Sequence, residues 1–154
     1  MSKTRVLLFL SIVFCAVAAQ AIVYIVPSDR ELVNNSQAIV IGTAMTSHAE
    51  LRANGSIVTI AELRIEQVLK GGVAGATIEI VELGGFLSDR ASVFPGSPRY
   101  EDGARYLVLL EEWPDGAWRT SGWQLGQFAI TTDLRGQRYL SRGGDEMIFG
   151  LDAR

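Results

Sequence analysis

The sequence predicts a mainly β protein, a small antiparallel barrel or sandwich of six to seven strands with one short helix near its start. Three observations carry this reading. Short runs rich in Val, Ile, Leu and aromatic residues recur along the chain, and clusters of Gly, Pro, Asn and Asp separate them. No helical pattern of roughly 10 to 15 residues, the length an α/β crossover needs, lies between those runs. No internal repeat or low-complexity tract appears either.

The longest patterned run, Gly55 to Gly72, is the strand against which the rest is built. Ile57, Ala61, Leu63, Ile65 and Leu69 share one parity, interrupted by Thr59 and Gln67, while Glu62, Arg64 and Glu66 hold the other. Ile57, Ile60, Ala61, Ile65, Val68 and Leu69 would also form a helical stripe, but the β-branched composition and the flanking glycines favour a strand. In that register Leu63 is interior and Arg64 solvated.

From the start, Met1 to Ala21 reads as a secretory signal. Lys3 and Arg5 precede an apolar run from Val6 to Ala18, and Ala19-Gln20-Ala21 forms a small-x-small cleavage site. The apolar core of about 13 residues is shorter than the roughly 20 of a membrane span, although readthrough into Ile22 to Val26 leaves an uncleaved anchor as the alternative. Cys15, the only cysteine, falls inside this segment, and Phe14 before it does not suit lipid attachment. Cleavage leaves 154 − 21 = 133 residues, the size of one domain, so residues 22–154 are read as a single β domain. The expected location is secreted or periplasmic, with no membrane span after cleavage.

Ser28 and Glu31 form a capping-box pattern ahead of Leu32 and Val33, and Asn34-Asn35-Ser36 ends this short helix. Gln37 to Thr43 reads as the first core strand, and Met45 to Asn54 as a polar connector carrying His48. Asn34 and Asn54 each open a glycan acceptor pattern, with capping or turn formation as the simpler role. Beyond Lys70-Gly71-Gly72, Thr77 to Leu83 is a third strand with Ile78 and Ile80 on one face. Phe86 to Gly103, with Pro95, Gly96 and Pro98, is a long irregular connection. Arg105 to Glu112 is a strand apolar on both parities, hence buried on both faces. Pro114-Asp115-Gly116 turns into a short return strand, Trp118 to Ser121; Gly126 to Thr132 follows, and Gln137 to Ser141 adds a last strand.

Composition narrows the function classes. After cleavage 12 basic residues face 17 acidic ones, 12 − 17 = −5, with no Lys/Arg cluster, so nucleic acid is not expected as a partner. Without cysteine, no disulfide framework or thiol chemistry is available to the mature chain. His48 is the only histidine, and neither G-x-S-x-G, H-E-x-x-H nor an EF-hand loop occurs, so neither catalytic residues nor a metal or other cofactor is expected. Glu111-Glu112 and Glu101-Asp102 look like solvated edges, and the glycine pairs like turns. The expected function is that of a non-enzymatic binding module for a protein or cell-envelope component. Its candidate contact residues are Phe86, Phe94 and Tyr100 in the long loop and Trp113 at the tryptophan turn, where Trp118 and Trp123 also fall. Two alternatives stand beside it: a barrel holding a ligand in an interior cavity of roughly 300 Å³ or more, and a carboxylate-dependent hydrolase.

Five segments carry a family resemblance: A-I-V-I-G-T-A (Ala38 to Ala44), I-A-E-L-R-I-E-Q-V-L-K-G (Ile60 to Gly71), the Gly84-Gly85 pair, P-G-S-P-R-Y-E-D-G-A-R-Y-L-V-L-L (Pro95 to Leu110) and S-G-W-Q-L-G-Q-F-A-I (Ser121 to Ile130). Together they resemble an uncharacterised secreted bacterial β-barrel domain found alone or ahead of matrixin-type metalloproteases. Its strand order is similar to the OB-like barrel of netrin and tissue-inhibitor-of-metalloproteinase modules. The resemblance implies an accessory domain with no catalytic residues to transfer, and an extracellular protease among its partners. Two departures matter. The zinc-directed N-terminal cysteine of tissue inhibitors has no counterpart in the mature chain, and no H-E-x-x-H motif is present, so the expectation is the accessory domain by itself.

Overall fold

A computed structural model describes residues 26–142. The segment predicted as a signal, with Cys15 and the expected cleavage site, and the residues beyond Arg142 lie outside the described residues. The first element among the described residues is helix α1 (Asp29–Asn35), whose capping box is formed as the sequence predicts: Ser28 Oγ accepts from Glu31 N, and Glu31 Oε2 accepts from Ser28 N at 2.7 Å. Nine strands follow: β1 (Ala38–Leu51), β2 (Ile57–Lys70), β3 (Thr77–Leu83), β4 (Gly85–Phe86), β5 (Ala91–Ser92), β6 (Arg105–Glu112), β7 (Trp118–Thr120), β8 (Gln127–Thr132) and β9 (Arg138–Arg142). Seven of them form one sheet in the order β1-β2-β3-β7-β6-β8-β9, and a further pairing of β1 with β6 closes β1, β2, β3, β7 and β6 into a ring. The fold is a closed five-stranded barrel with added strands, which decides between the barrel and sandwich expectations.

The barrel closes because β1 bends. Three register shifts interrupt its pairing with β2, and such bulges increase local coiling. Gly42 sits at one of them, where a Cβ would fall 2.6 Å from the carbonyl oxygen of Arg64, so only glycine allows the two backbones to approach. Inward-facing residues of alternate parity fill the axis. Val40, Leu63, Ile80, Val108 and Leu110 are fully buried there, joined by Ala38, Ala44, Ala61, Ile78 and Tyr106. The interior is a packed core.

The register of β2 agrees with the sequence pattern, since Leu63 is sealed and Arg64 exposed. Its end departs from that pattern. Leu69, placed on the buried face, is about half exposed because β2 runs out past the barrel, while Val58 and Ile60, on the other face, are buried against Val81. The polar connector predicted over Met45 to Asn54 is instead largely strand. Residues through Leu51 pair with β2 as far as Ile57, so His48 is an exposed strand residue opposite Ile60. Long-range pairing overrides the polar composition there. Asn54 has a turn role: its Oδ1 accepts from Ser56 N and Ser56 Oγ. The burial of β6 on both faces holds, with Leu109 packed against Leu32 of α1 and Ile39. Within the long loop only the two-residue strands β4 and β5 pair.

Candidate functional site

The ring of strands closes unevenly. Between β3 and β7 a single parallel pair, Ile80 with Trp118, joins the two strands. Beyond it they splay, and a side chain takes over the pairing. Strand parity turns Glu82 inward with Ile78 and Ile80, leaving it 3% exposed. Its Oε1 accepts from Thr120 N at 2.9 Å and from Thr120 Oγ1 at 2.5 Å. The Tyr100 hydroxyl lies 2.7 Å from Thr120 Oγ1 and donates to it, since the Thr120 hydrogen is committed to Glu82. Tyr100 in turn packs edge-on against Tyr106 at 5.2 Å.

Burial pushes the Glu82 carboxyl up to about 7. The two Thr120 hydrogen bonds and the charge of Arg119 pull in the opposite direction, and the charge of Glu111 adds to the rise. Burial also raises the Tyr100 phenol well above its ordinary range, with the nearby Glu82 contributing, so Tyr100 stays a donor.

Outside this carboxyl the β6–β7 hairpin builds a wall. Asp115 Oδ1 accepts from Ala117 N at 3.1 Å and Gly116 N reaches Trp113 O at 2.8 Å, which fixes the Pro114-Asp115-Gly116 turn. The Ala117 bond, helped by the nearby Arg119 charge, holds the Asp115 carboxyl below its usual range. Arg119 lies over the Trp113 ring at 4.0 Å, and its Nη2 donates to Asp115 Oδ2 at 3.1 Å. Its Nε and Nη1 are sealed and have no partner among the described residues. Trp113 Nε1 donates to Glu111 Oε1 at 3.2 Å.

The opposite wall starts at Gly122 and Trp123, consecutive residues with φ of 68° and 60°. Trp123 is the one non-glycine residue with positive φ among the described residues, a backbone cost of about 1 to 3 kcal/mol held in place by its surroundings. Phe94 stacks on it at 6.0 Å with rings 7° apart, and Gln124 N bonds Gly96 O at 2.9 Å, so the long loop is pinned here. Between the walls is a slot of about 30 Å³, with Glu82 and Thr120 at its floor and Leu83, Glu111, Trp113, Arg119 and Trp123 around it. That volume suits a group the size of one or two water molecules. On the other side of the Ile80–Trp118 pair lies a wider open groove of about 590 Å³, lined by Val73, Thr77, Ile78, Glu79 and Asp115 among others.

The sequence-predicted contact residues separate into two groups. Phe94 (45% exposed) and Trp113 (38%) stand at the slot, while Phe86 (64%) is exposed under Arg99, whose guanidinium is 5.6 Å from the ring. Tyr100 is corrected: it is a core residue at 5% exposure, because its hydroxyl completes the Glu82–Thr120 chain and its ring packs on Tyr106. Glu111, expected on a solvated edge, is half-buried at the slot. Glu82, Arg119, Thr120 and Trp123 were not among the expected site residues. A signal for Glu82 exists in the sequence, a carboxylate at the even parity of Ile78 and Ile80, and Trp123 belongs to the tryptophan cluster noted there; Arg119 carries none. No cluster of metal-ligating side chains occurs among the described residues, and none of their helices is long and apolar enough to cross a membrane.

No protein-family model, curated protein or solved structure matches the chain.

Proposed function

We propose that this is an exported, non-enzymatic binding module that engages a protein or a cell-envelope component through the aromatic surface around the β3–β7 slot. The observation that carries the reading is the pairing of exposed aromatics with rigid supports: Phe94 on Trp123, and Trp113 on Arg119. Aromatic and arginine side chains held in place before contact lose little entropy on binding and are the usual anchors of protein interfaces. The signal-like start of the chain and its resemblance to a secreted bacterial domain with OB-like strand order support export and an accessory role. An extracellular protease fits that role as partner.

The test is capture of partners by cross-linking in the native compartment. Phe94→Ala and Trp113→Ala should each reduce capture while the unfolding midpoint stays close to wild type; undiminished capture by both would remove this surface from consideration. Tyr100→Ala is unsuitable here because it opens the core.

One observation favours the hydrolase alternative. Glu82, with its raised carboxyl pKa, and Glu111 line the same slot, and a pair of carboxyl groups in different environments is the arrangement of an acid and a base. The slot volume of about 30 Å³ leaves no room for a sugar ring beside Glu82, which is why binding is preferred. Turnover of aryl glycosides that disappears in Glu82→Gln would reverse that preference.

A further inference from the structure

We propose that the β4–β5 hairpin is a lipid-contact element: its outward face, Phe86, Ala91 and Val93, enters the headgroup layer of an anionic phospholipid bilayer, with Arg90 and Arg99 on the surrounding phosphates. This surface is separate from the slot and adds a second contact to the binding reading above.

Strand pairing and alternation place the face. Gly85 pairs with Ser92 and Phe86 with Ala91, so each pair shares one side of the hairpin, and Val93 follows Ala91 at the same parity. The barrel side is settled at Gly85, where a Cβ would come within 2.9 Å of Ala49 Cβ and of Thr59 Oγ1. The side with the small residues Gly85 and Ser92 is thus turned to β1 and β2, and the large apolar residues face outward, Phe86 at 64% exposure and Val93 at 66%. A hairpin that only covered the barrel would have the opposite arrangement. It is also held in place before any contact. Thr59 Oγ1 donates to Gly84 O at 2.8 Å, Gly84 N to Ile57 O at 2.9 Å, and Leu87 N to Arg90 O at 2.8 Å.

The occupant follows from area, edges and charge. Phe86, Ala91 and Val93 expose on the order of 250 Å², well short of the roughly 800 Å² per partner of a stable protein interface. Strands β4 and β5 have two residues each, too short an edge to recruit a further strand. The same area suits reversible partition into a bilayer, on the order of what a single acyl chain supplies. Across residues 84–99 the charged side chains are Asp89, Arg90 and Arg99, 2 − 1 = +1, against −3 for the whole chain. Arg99 lies over the Phe86 ring at 5.6 Å and forms no ion pair among the described residues. Arg90 has Asp89 alone, in an exposed pair that a phosphate can replace. A cation stacked on an outward aromatic is the arrangement of interfacial side chains, apolar body in the lipid and charge at the phosphate level. Acidic groups farther than about 10 Å from the contact are screened at about 0.1 M salt.

The experiment uses the full chain with Cys15→Ser and Ala91→Cys, labelled at position 91 with an environment-sensitive fluorophore. A local probe is needed because the apolar start of the chain, Val6 to Ala18, would itself partition into lipid. Vesicles of equal parts phosphatidylglycerol and phosphatidylcholine should blue-shift the label and open it to quenching by nitroxide-bearing lipid. The same label in Glu62→Cys, at an exposed position of β2, should stay in water. Phe86→Ser/Val93→Ser should weaken the response about tenfold or more. Arg99→Gln should weaken it about fivefold on the mixed vesicles, with little change on phosphatidylcholine alone. All three positions are exposed, so the unfolding midpoint should stay close to wild type. Trp113→Ala, which probes the slot surface, should leave the response unchanged. No quenching at position 91, equal quenching at position 62, a wild-type response in Phe86→Ser/Val93→Ser, or a response that needs Trp113 would overturn the proposal. Loss of native-partner capture in Phe86→Ser/Val93→Ser with no vesicle response from the wild type would overturn it too, and would make the face a protein contact.

Discussion

The two seams that close this barrel are built from different materials. At β1–β6, six consecutive residue pairs run from Ala38 with Leu110 to Thr43 with Arg105. At β3–β7 there is one backbone pair, and the next link is the Glu82 carboxylate accepting the Thr120 N–H. A backbone ladder is indifferent to pH and sequence. A side-chain link titrates, leaves unpaired backbone beside it, and admits a cavity. Both the slot and the wider groove lie along the second seam. The difference teaches that in this small barrel the place where regular pairing gives out is also where a buried carboxyl and the open spaces of the fold are found.

The contrast can be broken at its strong side first. Val108 pairs with Val40 of β1 on one side and with Gln127 of β8 on the other, so Val108→Pro removes a donor and inserts a ring in the middle of the sheet. Circular dichroism should show loss of cooperative unfolding; a retained two-state transition would mean that the β1–β6 ladder is dispensable. The weak seam should respond to pH. Its carboxyl titrates at about 7 in the fold against 4.5 for the free side chain, so between these values the folded state holds the extra proton. Stability is then full below about 4.5 and declines as pH rises to about 7, by up to about 3 kcal/mol at about 1.4 kcal/mol per unit. Urea denaturation across that range should show the decline in wild type and a nearly flat profile in Glu82→Gln. A smaller loss, about 1 to 3 kcal/mol at acidic pH, is expected for Glu82→Ala, because Thr120 N–H loses its acceptor; the barrel should still fold. The smallest effect sharpens the register. Arg64→Asp should change stability by less than about 0.5 kcal/mol, whereas Leu63→Asp, two-sided in its burial, should not fold.

How much of this was legible in the sequence depends on which forces place each element. Strands β3 and β6 have the predicted limits because apolar alternation and turn residues bound them locally. The far half of β1 was not legible. Thr46, Ser47, His48 and Glu50 are loop-like in composition and become strand only through pairing with β2. The site divides in the same way. Phe94 and Trp113 were readable as aromatics in a loop and at a turn, while Tyr100, equally aromatic and equally in the loop, is buried by a contact to Thr120 twenty residues away. Arg119 enters the site through the splay of β3 from β7 and leaves no trace in local pattern, while Trp123 is visible as one of a tryptophan cluster but not the left-handed turn that places it.

One contact at the margin of the fold has a mechanical side. Arg142, the last described residue, is paired with Asp29 at the first turn of α1, and its guanidinium also covers Phe128 at 4.4 Å. The two ends of the described chain thus meet on one patch. Tension applied between them would fall first on an exposed ion pair and the fringe strand β9, which can peel from β8 one bond at a time, and would reach the β1–β6 ladder last. Handles fixed at both ends should therefore report a soft early yield before the barrel itself gives way.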